Sequence, residues 1–221
     1  MLTVHHLNNS RSQRVLWLLE ELGVPYEIKR YQRMSNMLAP PELRAIHPLG
    51  KSPVITDNGH TIAESGAIVE YLVATYGNGR LSPPDGSPER LRYTYWLHYA
   101  EGSAMSPLLL KLLFTLMPAR SPFLVRPLVR KICDQALATL VKPQLKTHMA
   151  FWESELSGRP WFAGSAFSAA DIQMSFPLEA ASARGGLANG HPKAMEFLAE
   201  IHARPAYRRA LEAGGPYQIG K

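Results

Sequence analysis

Two short polar segments, Lys51-Ser52-Pro53 and Glu64-Ser65, carry residue types suited to holding an anionic ligand. Apolar residues recur at helical spacing after Ser65, which predicts a helix with Ser65 as its N-cap. A helix start offers unpaired N–H groups and a partial positive charge, and both favour a ligand carboxylate. Lys51 would add a second positive group from the loop opposite. Singly, Ser65 would only cap the helix and Lys51 would only be solvated, but their joint placement favours a binding site.

The stretch between these segments predicts a tight hairpin. Asn58-Gly59 lies between two short apolar runs, residues 54–56 and 61–63, and this pair is the strongest local signal for a two-residue type I′ turn. Pro53 directly precedes the first run, where a residue without an N–H suits the entry to a strand. A cis bond occurs in only about 5–6% of X–Pro pairs, so these residues leave the isomer open.

Residues 1–31 predict a strand, a helix and a second strand. Residues 2–7 alternate in polarity, and residues 15–22 place apolar side chains at i, i+3, i+4 and i+7 before Gly23. The spacing Ser10-x-x-Gln13 predicts a capping box at the start of this helix. Residues 26–31 predict the second strand, and a helical turn is expected near residues 42–46. The order β-α-β followed by β-β-α is typical of a thioredoxin-like α/β domain, which we expect to cover residues 1–81.

The remainder of the chain predicts an all-helical domain. Residues 82–89 are rich in Pro, Gly and Ser and read as a linker, and residues 90–221 contain helical patterns without a convincing strand. We expect Pro107 to kink the first long helical pattern.

Local signals mark the later helices of this domain. Ser168 and Asp171 form a capping box, and Phe167 with Ile172 adds the spacing of a hydrophobic staple. Pro192 and Pro205 suit the first turns of two terminal helices.

Composition excludes several classes of protein. A hydrophobic fraction of 46% with a charged fraction of 19% is ordinary for a soluble globular chain. The single cysteine, Cys133, excludes an internal disulfide and a Cys-x-x-Cys redox pair. Adjacent His5 and His6 point to opposite faces of a strand, and no other histidine spacing indicates a metal site. The N-terminus has no secretory pattern, so we expect a cytoplasmic location.

The net charge of +6 includes a basic group at Arg120, Arg126, Arg130 and Lys131. No nucleic-acid-binding motif accompanies this group, so a solvated basic face is the favoured interpretation. The apolar run at residues 105–117 is shorter than the roughly 20 residues needed to span a bilayer. We therefore expect it to form a buried helix, or one that lines an apolar pocket.

The order of PLGKSP, a hairpin and an ES pair that opens a helix resembles the glutathione S-transferase family, and the Ser168/Asp171 box resembles that family's buried helix. The resemblance spans nearly the whole chain. It implies that the backbone of Ser52, beside a cis Pro53, binds the cysteinyl part of glutathione. It further implies that Glu64 and Ser65 hold the γ-glutamyl end. Glutathione would be the co-substrate, and the assembly a homodimer.

The same resemblance assigns Ser10 as the hydroxyl that stabilises the glutathione thiolate, with Asn9 and Lys51 among the binding residues. Residues 1–23 contain neither tyrosine nor cysteine, which disfavours a tyrosine-type or cysteine-type enzyme. The resemblance is to cytosolic, serine-type members of the family of bacterial or fungal kind. Asn9 and Ser12 lie close enough in sequence to be alternative thiolate donors.

The implied activity is glutathione transfer to an apolar electrophile or a peroxide, with the electrophile's identity left open. A non-catalytic glutathione-binding protein of the same fold is the alternative. The absence of an N-terminal cysteine weakens a third interpretation, a thiol-disulfide reductase.

Overall fold

The N-terminal part is a four-stranded mixed sheet in a computed structural model that describes residues 1–36, 38–217 and 219. Its strands are β1 (Thr3–Leu7), β2 (Glu27–Tyr31), β3 (Val54–Asp57) and β4 (His60–Ala63). The spatial order is β2-β1-β3-β4, with β1 parallel to β2 and antiparallel to β3, and with β3 antiparallel to β4. Three helices accompany the sheet, namely α1 (Ser12–Leu22), α2 (Pro41–Ile46) and α3 (Ser65–Tyr76). The predicted thioredoxin-like order is confirmed.

Two local turn predictions are confirmed by backbone angles. Asn58 and Gly59 both have positive φ, at 48° and 81°, as a type I′ turn requires, and they join β3 directly to β4. Gly23 ends α1 in the left-handed region, and its N–H donates to the carbonyl of Leu19.

The second part is helical. Its helices are α4 (Pro88–Tyr99), α5 (Met105–Arg120), α6 (Arg126–Ala136), α7 (Lys142–Gly158), α8 (Ala169–Ala180), α9 (Pro192–Ala203) and α10 (Pro205–Gly214). The α4–α5 run leaves α-helical geometry over a π-helical turn, Ala100–Ala104, just before Pro107. Pro107 has no N–H to give to the preceding turn, so the expected irregularity occurs beside it. Pro192 and Pro205 open α9 and α10, as predicted.

One hydrophobic core joins the two parts. Every residue of α8 is buried, and α8 packs on α1, α3 and α4. Helix α1 also packs along α10, so residues of both parts belong to the same buried cluster. The predicted boundary at residues 82–89 remains a prediction, and the predicted domain end at residue 221 lies outside the described residues.

The run at residues 105–117 is not the buried helix that was expected. Met105, Pro107 and Leu108 are buried, but Leu109, Leu113 and other apolar side chains of α5 are exposed. Helix α5 packs mainly on α6, which itself buries only Cys133, so this pair of helices has too little core to cover its apolar faces. Clefts of about 560 and 650 Å³ elsewhere on the described surface do not include these residues.

The Ser168/Asp171 capping box is confirmed at the start of α8. The Asp171 carboxylate accepts hydrogen bonds of 2.8 Å from the backbone N–H groups of Ser168 and Phe162. Both groups and the carboxylate are buried, so this single side chain satisfies two donors inside the core.

Replacing Asp171 by alanine should leave both buried N–H groups unpaired. Each unpaired donor costs about 1–3 kcal/mol, so the free energy of unfolding should fall by about 2–6 kcal/mol. Urea unfolding followed by circular dichroism measures this loss. Asp134→Ala, at an exposed carboxylate on α6, is the control and should change stability by less than about 0.5 kcal/mol. Equal effects for the two variants would contradict the role given to Asp171.

Candidate functional site

A cleft of about 300 Å³ lies where the two parts meet. It is lined by Arg11, Lys51, Ser52, Pro53, Glu64, Ser65 and Glu101. Five of these residues were predicted from the sequence as site residues. Clefts of about 560 and 650 Å³ lie elsewhere on the described surface, but they include none of the predicted residues. The chemistry of its lining residues, and not its volume, therefore makes this cleft the candidate site.

The loop before β3 forms one wall of the cleft. The Ser52–Pro53 peptide bond is cis, and Pro53 is buried directly before β3. The Ser52 hydroxyl donates to the backbone carbonyl of His5, 3.4 Å away on β1. Lys51 is exposed at the mouth, so its ammonium group is available to an anion.

Glu64 has an unusual backbone conformation, with φ 70° and ψ 120°. This combination is rare for any residue with a Cβ atom and costs on the order of 1–3 kcal/mol. Such strain is concentrated at ligand-binding positions in proteins. No pattern in the sequence signals it, because an ordinary glutamate occupies the position.

Ser65 is buried, but it is not the N-cap that was predicted. Helix α3 begins at Ser65 itself, its N-cap residue is Glu64, and no side chain caps it. The Ser65 hydroxyl oxygen instead accepts from the Arg14 guanidinium at 2.8 Å and from the Gln173 amide at 3.3 Å. A hydroxyl has two lone pairs, so two accepted bonds leave its own O–H group able to donate to a ligand.

Arg14 is the main contact between the elements of the site. Its side chain is 2% exposed, pairs with Glu101, and donates to the carbonyl oxygen of Gln173 at 2.6 Å. Arg11 holds the same Glu101 carboxylate at 3.0 Å. Burial raises the pKa of Glu101, but the charges of Arg14 and Arg11 outweigh burial and lower it overall. Glu101 therefore stays ionised beside the cleft.

Ser10 lies behind the cleft wall in a row of hydroxyl groups. Its Oγ atom is 3.2 Å from the Ser52 Oγ and 2.7 Å from the Ser12 Oγ, and it accepts from the Ser12 N–H at 3.2 Å. The predicted Ser10–Gln13 capping box is wrong. Helix α1 begins at Ser12 after Arg11, and the backbone N–H of Gln13 donates to the Ser10 carbonyl oxygen, not to the Ser10 hydroxyl. Among the described residues the buried side-chain amide of Gln13 has no hydrogen-bond partner. The Ser10 hydroxyl bonds the hydroxyls of Ser12 and Ser52 instead of the backbone N–H of Gln13.

His6 ends this row of groups. Its Nδ1 atom lies 2.8 Å from the Ser12 Oγ, and the ring is 5% exposed. Burial, and then the charge of Arg30, lowers the pKa of His6 to about 4, so the ring is neutral at physiological pH. A neutral ring has one accepting nitrogen, which suits a hydroxyl donor.

The predicted residues differ in how they meet the cleft. Ser10 does not line the cleft itself, but its hydroxyl bonds Ser52, which does. Asn9 is exposed in a left-handed turn, with φ 48°, and does not line the cleft.

Sequence reasoning missed Arg14, Glu101 and Gln173. The only available signal was Arg14, a charge on the apolar face of α1, because a buried charge requires a partner. Among the described residues no His, Cys, Asp or Glu group forms a metal site.

Comparison with known proteins assigns the family. Residues 1–74 match the glutathione S-transferase N-terminal domain, and residues 116–205 match the C-terminal domain. Glutathione S-transferase 3 of Schizosaccharomyces pombe is 35% identical over 96% of this chain and 87% of its own length. Glutathione S-transferase 1 of Saccharomyces cerevisiae is 33% identical over 96% of this chain and 94% of its own.

Solved structures agree with these relatives. A glutathione S-transferase from Actinobacillus pleuropneumoniae superposes with a TM-score of 0.77 at 31% identity, covering 96% of this chain and 92% of that one. A sphingomonad glutathione S-transferase complexed with glutathione gives 0.74 at 25% identity, covering 96% and 98%. The chain belongs to the glutathione S-transferase family, which confirms the resemblance seen in its sequence.

The low pKa of His6 makes stability depend on pH. The unfolded histidine binds a proton near pH 6.5, whereas the folded ring binds one only near pH 4. The unfolded state therefore holds more protons between these values, and stability should fall by up to about 3 kcal/mol as the pH drops from 6.5 to 4. His6→Asn should flatten this part of the curve, as measured by urea unfolding at a series of pH values. The exposed His98→Asn is the control, and an unchanged slope in His6→Asn would contradict the assignment.

Proposed function

We propose that this protein is a glutathione transferase whose Ser10 hydroxyl stabilises the glutathione thiolate. Glutathione is the co-substrate of the family to which the chain belongs. The observation that carries the proposal is the convergence of a carboxylate, a donating hydroxyl and a strand-entry loop on one cleft that Ser10 adjoins.

Glu64 and Ser65 would bind the γ-glutamyl end. The Ser65 O–H is free to donate to the ligand's α-carboxylate, since Arg14 and Gln173 already fill its acceptor sites. Glu64 would accept from the α-ammonium group. Glu101 adds a second negative charge at the same wall, while Lys51 would meet the glycyl carboxylate at the mouth.

The cysteinyl part would pair with the backbone of Ser52, next to Pro53, as the resemblance implies. A glutathione sulfur beside the Ser52 backbone would lie close to the Ser10 hydroxyl, which is 3.2 Å from the Ser52 Oγ atom. Ser12 is the weaker donor candidate, because it is fully buried and its Oγ already bonds His6. Asn9 remains an alternative donor from its exposed turn.

One hydroxyl and the start of a helix can supply the free energy needed to lower the pKa of the bound thiol. A free thiol has a pKa of about 8.5, and lowering it by ~2 units needs about 2.7 kcal/mol. A hydrogen bond to an anion contributes about 1.5–3 kcal/mol, and the start of α1 adds about 0.3–1 kcal/mol. The thiolate then attacks an electrophilic carbon and expels its leaving group, or attacks a peroxide oxygen. In the second case the O–O bond breaks, the departing oxygen leaves as an alcohol or water once protonated, and a second glutathione converts the sulfenic acid to the disulfide and water.

The two parts of the chain would have different roles. Residues 1–81 bind glutathione, and residues 90–221 supply the pocket for an apolar electrophile. The protein would act in detoxification as a cytoplasmic homodimer, and peroxide reduction would be a side activity.

Replacing Ser10 by alanine should raise the apparent pKa of bound glutathione by about 1–2 units, because one hydrogen bond to the anion is lost. Ultraviolet absorbance of the thiolate during a pH titration measures this shift. Turnover of a chloronitrobenzene at neutral pH should fall in parallel.

Ser12→Ala is the matched control, because it removes the neighbouring hydroxyl, which is fully buried and bonds Ser10. It should raise the pKa of bound glutathione less than Ser10→Ala does. An unchanged titration with full turnover in Ser10→Ala would reject Ser10 and favour Asn9 or Ser12, and a raised pKa in Ser12→Ala would then select Ser12. Glutathione binding by the parent protein without any turnover would favour the non-catalytic alternative.

Replacing Glu64 by glutamine should weaken glutathione binding about 10- to 100-fold, since a charge-assisted hydrogen bond to the ammonium group is lost. Isothermal calorimetry measures the Kd. Ser65→Ala should weaken binding as well, through the lost donor to the carboxylate. Exposed Glu70→Gln, on the same helix, is the control and should leave the Kd unchanged.

A glutathione analogue without the α-amino group makes this test specific. Glutaryl-cysteinylglycine has no ammonium group for Glu64 to bind. The Glu64→Gln substitution should therefore change its Kd by less than about twofold. An equal loss for glutathione and for the analogue would mean that Glu64 only shapes the backbone.

A further inference from the structure

The number of protons in the row of Ser52, Ser10 and Ser12 limits how the row can be arranged, because each hydroxyl carries one. The Ser10 and Ser12 Oγ atoms are 2.7 Å apart, so a proton from one of them lies between them. The Ser12 Oγ is also 2.8 Å from the Nδ1 atom of His6, and that contact holds either the Ser12 proton or a ring proton. The carbonyl oxygen of Leu7, at 3.5 Å, is too far from the Ser12 Oγ to hold the proton instead. The tautomer of the His6 ring therefore decides the direction of the whole row.

In the inward arrangement the Nδ1 atom of His6 carries no proton. Ser12 then gives its only proton to the ring, and Ser10 gives its own proton to Ser12. The Ser10 oxygen accepts from the Ser12 N–H at 3.2 Å. Ser10 has no proton left for a ligand in the cleft.

In the outward arrangement the Nδ1 atom carries a proton, and the bonds of the row reverse. The ring donates to Ser12, and Ser12 donates to Ser10. The Ser10 O–H then points toward the oxygen of Ser52, 3.2 Å away at the cleft wall. Only this arrangement supplies the donor that a thiolate bound beside Ser52 requires.

The backbone of Gly214, the last residue of α10, favours the inward arrangement. Gly214 lies so close to the ring that a Cβ atom on it would be 3.4 Å from the Cε1 atom of His6. A hydrogen bond between the ring and the Gly214 backbone raises the pKa of His6, which identifies the ring as the donor. Since Nδ1 faces Ser12, Nε2 is the nitrogen left for this bond. Burial and the charge of Arg30 keep the ring neutral, so a proton on Nε2 leaves Nδ1 without one.

We propose that His6 is a positioning residue whose ring exchanges a proton on Nε2 for one on Nδ1 when the glutathione thiolate binds. This role rests on the proposed function of Ser10, through which His6 acts on the sulfur. The thiol S–H bond breaks and its proton leaves to water, while the ring loses one proton and gains another. The protein therefore carries the same number of protons before and after binding.

The charge of the thiolate drives the reversal. A hydrogen bond to an ionised acceptor is stronger than one between neutral groups, so the Ser10 O–H is drawn toward the sulfur at the expense of the bond to Gly214. Hydrogen bonds in a chain polarise one another, so the outward row strengthens the bond that reaches the sulfur. A ring that instead kept both protons would place a positive charge in a buried site beside Arg30.

Nitrogen NMR of the protein labelled at histidine tests the proposal, because protonated and unprotonated ring nitrogens have well separated chemical shifts. The His6 signals are assigned by their absence in His6→Asn. Nδ1 should be unprotonated in the free protein and with S-methylglutathione, whose sulfur cannot ionise. It should be protonated with glutathione, at a pH where ultraviolet absorbance shows the bound thiolate. An Nδ1 proton in the free protein, its absence in the glutathione complex, or protons on both ring nitrogens there would each overturn the proposal.

Ser10→Ala cuts the row and is the control for a direct effect of the sulfur charge on the ring. In this variant Nδ1 should stay unprotonated even when the thiolate is bound at a higher pH. A proton on Nδ1 in Ser10→Ala would overturn the role of the row. A raised pKa of glutathione in Ser10→Ala, without an Nδ1 proton in the parent complex, would reject the role of His6 alone. An unchanged pKa of glutathione in Ser10→Ala would reject the proposed function itself.

His6→Asp replaces the ring by a group that only accepts, which holds the row in the inward arrangement. The pKa of bound glutathione should rise by about 1 unit or more. The new negative charge also opposes the thiolate, so the substitution is repeated with Ser12→Ala, which cuts the row and leaves only the charge. The rise should then be about half as large or less. An equal rise in both backgrounds would contradict the proposal, and circular dichroism checks that the variants fold. The NMR measurement on the parent protein decides the outcome if His6→Asp does not fold.

Discussion

The buried Arg14 guanidinium determines how this molecule is arranged around its cleft. A charge taken out of water is tolerated only when partners surround it, and removing one partner costs several kcal/mol. Arg14 lies on α1, and its partners come from the start of α3, from the junction of α4 and α5, and from the backbone of α8. The same bonds that satisfy this cation also orient the Ser65 hydroxyl toward the cleft. Structural pairing and the proposed recognition of glutathione by Ser65 would therefore both depend on Arg14.

Several elements could be read from short stretches of sequence, because their causes are local. Asn58-Gly59 produces its turn through the φ values that these two residues tolerate. Asp171 bonds the N–H of Ser168, three residues before it. The loop with Pro53 and the pair at Glu64 were also recognisable, since a few adjacent residues carry them.

The features that the sequence could not reveal depend on distant contacts. Arg14 meets Glu101 and Gln173 across 87 and 159 residues, and no periodicity links such positions. Ser10 fitted a capping box by spacing, yet its hydroxyl bonds Ser52, which lies 42 residues away. The exposure of α5 was missed for the same reason, because burial depends on which helices cover a face, and composition describes only the helix itself.

The continuous core has a consequence for how such chains can be recombined. Helix α1 belongs to the thioredoxin-like half by sequence, yet it packs along α8 and α10 of the helical half. A chimaera that joins this N-terminal half to the helical half of another relative would face a foreign surface along the whole of α1. Since tightly packed interiors tolerate little change in shape, the halves are matched parts and not exchangeable modules. With the electrophile pocket in the helical half, as proposed, substrate range would change through residues inside that half more readily than through exchange of whole domains.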